Sequence, residues 1–174
     1  ERWSKVFYLK QMAKTMLYLS ENDLDYGSLV KQSEKAVTQT NALLAQINAN
    51  DQRMKEIGEL KRHITNYIKT REVYVSYREA GYSKKFAVAH ADDLALHKAA
   101  KAYFDKLGTK KLPSIKSLSV EYEELIKKNK RLYGAYHKAR DQMQQSLTAK
   151  ANLDLMLHLD EQNKEKERGR ENAR

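Results

Sequence analysis

From Asp25 to Ala80 the sequence runs without a proline, and the only glycines on the way are Gly27 and Gly58. A stretch that long with nothing to break it has one economical solution, a single α-helix on the order of 80 Å in length at ~1.5 Å per residue. The rest of the chain repeats the pattern. Among 174 residues there are one proline and six glycines, while 32% of residues are charged. So charged a chain lacks the apolar residues for a broad core, but a narrow helical seam needs only two positions in seven. The expected fold is all-α, an elongated helical bundle built around a long antiparallel coiled coil.

The elements follow from spacing and caps. In the first segment Trp3, Val6, Leu9, Ala13 and Met16 recur at three and four residues, and Phe7, Met12, Leu17 and Leu19 widen the stripe beyond one face. Asn22 ends this helix and Asp25 caps the next. On the long helix Val30, Val37, Thr40, Leu44 and Ile47 form a seam. It resumes after Met54 as Ile57, Ile64, Ile68 and Val75, with a slip of about three residues of the kind a stammer produces. "VYVSY" alternates like a strand, but its flanks are helical. Gly81 suits a left-handed helix end and Ser83 the cap of a third helix, about Lys84 to Leu107, closed by Gly108. Ser114, after Pro113, caps the last helix.

That helix carries the cleanest pattern, Leu118, Tyr122, Leu125, Asn129, Leu132, Tyr136, Ala139, Met143, Ser146, Lys150, Leu153 and Leu157. Asn129 either fixes the register of a buried seam or simply faces solvent. The organisation expected is residues 1–22 as an apolar helix, 23–159 as the coiled-coil module and 160–174 as a charged tail without anchors, hence disordered. The long helix pairs with the last and the third folds across the tip, an up-down-up bundle being the alternative. The chain opens on Glu1 rather than Met and reads as a piece of something larger.

Some chemistry is excluded. The sequence has no cysteine, so disulfides and thiolate metal sites are out, and no apolar run approaches the ~20 residues that cross a bilayer. There is no phosphate-binding glycine loop and no HExxH. No catalytic residue, metal ligand or cofactor is assigned. His90, Asp93 and His97 in "HADDLALH" fall on one helical face and could in principle hold a divalent ion, although such groupings are common by chance.

The net charge of +10 points instead to an anionic partner. Between Gly81 and Tyr133 twelve Lys and Arg face six Asp and Glu, so about +6 of the excess lies in under a third of the chain. In "KTREVYVSYREAGYSKKF", tyrosines and cations interleave. Tyr67 and Tyr74 flank the seam and are read as packing rather than as base-stacking rings. Lys69, Arg71, Arg78, Lys84 and Lys85 approach one hairpin end, and Lys110, Lys111 and Lys116 approach it from the other side. These eight are the candidate nucleic-acid-binding residues, because phosphate contact gives such a convergence a purpose.

"ERWSKVFYLKQMAKT", "IKTREVYVSYREAGYSKKF", "KKLPSIKSLSVEYEEL" and "LTAKANLD" together resemble the C-terminal helical region of relaxases, the mobilization nucleases of Gram-positive conjugative and mobilizable elements. The resemblance spans Glu1 to about Asp154. It implies a bacterial, cytoplasmic module with no catalysis of its own, assisting DNA binding and protein docking in conjugative DNA transfer. The implied partners are DNA, accessory or coupling proteins and the relaxase nuclease domain, against which the first helix would pack if not against the bundle; separately, the wide apolar stripe of that helix suggests self-association, and the lack of a long apolar run no membrane insertion. A purely structural coiled-coil interaction or dimerisation module is the alternative.

Overall fold

The computed structural model describes residues 2–108 and 111–171, and every element in them is a helix: α1 (Arg2–Glu21), α2 (Tyr26–Glu79), α3 (Lys84–Ala89), α4 (Ala91–Leu107) and α5 (Ile115–Glu171). The caps are the expected ones. The Ser28 N–H donates to Asp25 Oδ1 at 2.6 Å, Phe86 N–H to Ser83 Oγ at 3.5 Å and Ser117 N–H to Ser114 Oγ at 3.0 Å. Gly81 and Gly108 take the left-handed conformation at φ 63° and 64°.

Three features differ from the sequence reading. The third helix is two, because His90 (φ −123°, ψ 33°) ends α3 and starts α4. Asp92 and Asp93 then fall in the first turn of α4, where carboxylates favour a fresh helix N-terminus. The seam of α2 does not slip. Its buried or half-buried positions run Leu29, Ser33, Ala36, Thr40, Leu43, Ile47, Asn50, Met54 and Ile57 in unbroken alternation of four and three, whereas Leu44 and Ile68 are exposed. Hydrophobicity alone does not reveal it, because four of these nine positions are small or polar. Finally, α5 continues past Asp160 to Glu171, through "DEQNKEKERGRE", since Glu, Gln, Lys and Arg are strong helix formers even without a partner.

The chain divides into two compact units, residues 47–131 and residues 1–46 with 132–174, so the boundary cuts both long helices. In the second of these, α1 and the first part of α2 pack with the last part of α5. Tyr26 Oη donates to Asp154 Oδ1 at 2.7 Å, and Asn152 Nδ2 to Thr15 Oγ1 at 2.9 Å. Its interior is lined by Thr15, Leu29, Ser33, Thr40, Ser146 and Ala149. The buried hydroxyls bond carbonyls of their own helices, Ser33 to Leu29 O and Thr40 to Ala36 O, each at 2.8 Å, and so need no partner across the interface. The inner face of α1 is Gln11, Met12, Thr15, Tyr18 and Leu19, leaving Val6, Phe7, Leu9, Met16 and Leu17 exposed; the side chain of Trp3 lies outside the described residues.

In the unit of residues 47–131, α5 runs antiparallel to α2. Asn50 Nδ2 donates to Asn129 Oδ1 at 2.7 Å, Arg53 reaches Glu121 through Nε at 2.6 Å and Nη2 at 3.1 Å, and Lys61 Nζ donates to Ser119 Oγ at 2.9 Å. Ile57, Leu60, Ile64 and Leu118 form the core, with Tyr103, Phe104, Leu112, Ile115 and Leu125 packed on it. Each such residue fully buried contributes roughly 1.5–3 kcal/mol.

Asn129 is buried, and its own Nδ2 donates to Asp51 Oδ1 at 2.7 Å. Of the two readings, register holds. Asn129→Leu leaves the buried Asn50 amide without its acceptor and is expected to cost ~1–3 kcal/mol in urea unfolding. The Asn50→Leu, Asn129→Leu double variant recovers much of that loss.

Candidate nucleic-acid interface

Helix α4 is clamped to α2 by a ladder of rings. His63 stacks on Tyr103 with centroids 4.2 Å apart. The His97 ring lies between Tyr67 and Tyr74, at 4.6 and 4.4 Å, and Tyr67 also meets Phe104 edge-on at 5.7 Å. Thr70 Oγ1 gives its only proton to Asn66 O at 2.7 Å, so its 3.0 Å contact with His97 Nδ1 has the imidazole as donor. Nδ1–H is therefore the tautomer that fits. His97 is only 3% exposed. Burial lowers its pKa, with help from Lys101; burial also lowers that of His63, with help from Arg62.

Tyr67 and Tyr74 are packing residues, as their flanking positions suggested. His97, considered as a metal ligand, is instead the filling of this stack, and His90 lies against Phe86 at 4.4 Å. No cluster of three His, Cys, Asp or Glu able to hold a metal occurs among the described residues. Spacing along α4 groups His97 with Asp93 and His90; the telling signal lies across the hairpin, in the Tyr67, Thr70, Tyr74 spacing of three and four that brackets one residue of a facing helix.

The cations are exposed. Lys69, Arg71, Arg78, Lys84, Lys85, Lys111 and Lys116 all face solvent, and none belongs to an ion pair among the described residues; Lys110 lies outside them. They do not converge on one point. Lys116 is three residues before Ser119, which is level with Lys61, so it lies about 20 Å along α2 from Arg78 at ~1.5 Å per residue. Lys69 and Arg71 point to nearly opposite sides of α2, since two residues turn a helix by about 200°. The expected convergence fails because α4 runs back along α2 instead of folding across its end.

Arg71 and Arg78 stand out. They continue, at seven-residue spacing, the line of Ile57 and Ile64 that packs into the α2/α5 core. Helix α5 begins at Ile115, which packs against the cluster containing Ile64. One heptad further on, the same face of α2 has no α5 over it, and isoleucine gives way to arginine. The unit as a whole carries 19 Lys and Arg against 11 Asp and Glu, a net +8 of the chain's +10.

At the end of α2 the Gly81 N–H donates to Arg78 O at 3.0 Å and the Tyr82 N–H to Tyr77 O at 3.1 Å, a Schellman motif. The Tyr77 ring meets Tyr82 at 5.3 Å and 87°, and Phe86 at 6.0 Å. No helix among the described residues is long and apolar enough to cross a membrane. No family model matches the chain, no curated protein matches its sequence, and no solved structure matches its fold.

Buried His97 and half-buried His63 make this unit acid-sensitive. Their folded-state pKa values lie below the ordinary ~6.5, so the unfolded chain binds more protons in the window below that value. Stability is fully present above about pH 6.5 and falls as the pH drops towards the folded-state values. Thermal melts between about pH 7.5 and 5, above the carboxylate range, should show a falling midpoint, and His97→Phe should flatten the fall.

Proposed function

We propose that this chain is a non-catalytic helical module that contacts DNA, of the kind its sequence resembles in the C-terminal region of relaxases, assisting DNA binding and protein docking during mobilization. The observation that carries the reading is the replacement of core isoleucines by Arg71 and Arg78 where α5 stops, on a unit holding +8 of the net charge. Guanidinium groups in that place have no seam to fill and no carboxylate partner among the described residues. A phosphate backbone supplies the missing charge, and about 20 Å of cations strung along one unit suits a polymer better than a small anion. The rings of the clamp are occupied with one another, which leaves Tyr67 and Tyr74 out of base recognition.

Binding should therefore be dominated by charge. With Arg71, Arg78, Lys84 and Lys85 replaced together by Gln, affinity for a short oligonucleotide is expected to drop at least tenfold near 100 mM salt. The slope of log K against log salt should fall by up to ~0.9 per lost duplex phosphate contact. Helicity by circular dichroism should be unchanged. Equal binding by parent and variant would show the arginines to be ordinary solvated side chains.

The interaction-module reading draws on a different observation. Phe7 and Leu9 are 63% and 66% exposed, with Val6, Met16 and Leu17 on the same helix. An outward stripe of that size marks an interface. Sedimentation should show concentration-dependent self-association that weakens in Leu9→Ser. A monomer at high concentration would remove the second copy as the occupant of this face.

A further inference from the structure

We infer that Tyr82 is a stacking platform for one unpaired nucleobase, and that the tip of the α2/α3 turn holds single-stranded DNA by this ring and its neighbouring cations. The inference rests on the DNA-contacting reading above and gives it a preferred strand type.

The first support is backbone conformation. Gly81 alone satisfies the left-handed position that ends α2. Yet the next residue is left-handed too, Tyr82 at φ 60°. Asp23 is the one other non-glycine at positive φ among the described residues, and short polar side chains tolerate that region. A bulky ring there is a true outlier, and strain of this kind collects where a side chain is being presented rather than packed.

The second support is what the strain leaves open. An apolar residue after the C′ glycine ordinarily packs back on the last turn, and Tyr82 does touch Tyr77. The contact is perpendicular, however, so Tyr77 leaves at least one face of the Tyr82 ring uncovered, and the residue is 56% exposed. The other tyrosines of this hairpin behave differently. Tyr67 and Tyr74 lie against His97, and Tyr77 sits between Tyr82 and Phe86.

The third support is charge. Arg78, Lys84 and Lys85 lie within four residues of Tyr82, all exposed and none in an ion pair among the described residues. A ring with an open face among exposed cations is the minimal unit by which proteins hold single strands without reading sequence: bases stack and phosphates pair. A duplex keeps its bases stacked on one another and would use the cations alone.

The test compares a labelled oligothymidylate of ~20 nucleotides with a duplex of equal length by fluorescence anisotropy. Tyr82→Gly is the informative variant, because glycine accepts the left-handed conformation and the tip keeps its turn. Tyr82→Phe retains the ring. The Gly variant should lose roughly 5- to 100-fold in single-strand affinity, the range for one stacked base, with its salt slope unchanged. Duplex binding should stay within about twofold, and the Phe variant should match the parent on both. Single-strand binding by Tyr82→Gly equal to the parent's overturns the inference and leaves the charge-based function standing. Equal losses on both oligonucleotides overturn it too, showing the ring to act only through the shape of the tip. A parent that binds neither oligonucleotide overturns the ring's role and the DNA-contacting reading together.

Discussion

The side-chain amide of Asn129, accepting from Asn50 and donating to Asp51, decides where α5 lies along α2 in the unit of residues 47–131. An apolar seam alone tolerates sliding by a heptad, since Leu and Ile are interchangeable at that grain; a buried amide with two partners does not. The register has a further effect. Were α5 to slide one heptad towards the tip, its first turn would cover Arg71 and bury a guanidinium. A slide the other way would expose Ile64. The polar pair thus sets where the core stops and the cationic face begins.

How legible this was depends on the kind of signal. Caps at Asp25, Ser83 and Ser114 and the glycine stops were plain, because each is a local rule with one donor and one acceptor. The α5 seam, mostly Leu, Tyr and Met at strict spacing, is legible over its middle, from Leu125 to Leu153, while Tyr122 and Leu157 on the same spacing are exposed. The α2 seam was misread because Ser33, Thr40 and Asn50 carry no hydrophobic signal, and Val30, Val37 and Leu44 drew attention to the flank. The break at His90 was hidden by alanine-rich flanks that favour helix on either side. What could not be read at all is pairing across the hairpin: nothing in "HADDLALH" says that His97 will meet two tyrosines some 25 residues earlier.

The same contrast separates the two units. Residues 47–131 hold their helices with rings and branched aliphatic side chains. The other unit buries Ser33, Ser146, Thr15 and Ala149, small groups that bring helix backbones close and leave most of the larger apolar residues of α1 outside. The Ser33, Thr40 and Ser146 hydroxyls bond their own helices and set proximity without strong selectivity, Thr15 alone of these hydroxyls also accepting from Asn152 of α5, whereas the amide of Asn129 sets selectivity at some cost in stability.

The clamp also orders events in time. Thr70 and His97 are 27 residues apart in sequence, whereas Asn50 and Asn129 are 79 apart. Closing the larger loop costs about 1 kcal/mol more in chain entropy, as each doubling adds ~0.6 kcal/mol. Synthesis favours the same order, since residues up to Leu107 emerge from the ribosome before α5 does. The α2/α4 hairpin, with its rings already matched, is then the surface on which α5 condenses, and the cationic tip is the part of this unit that needs α5 least.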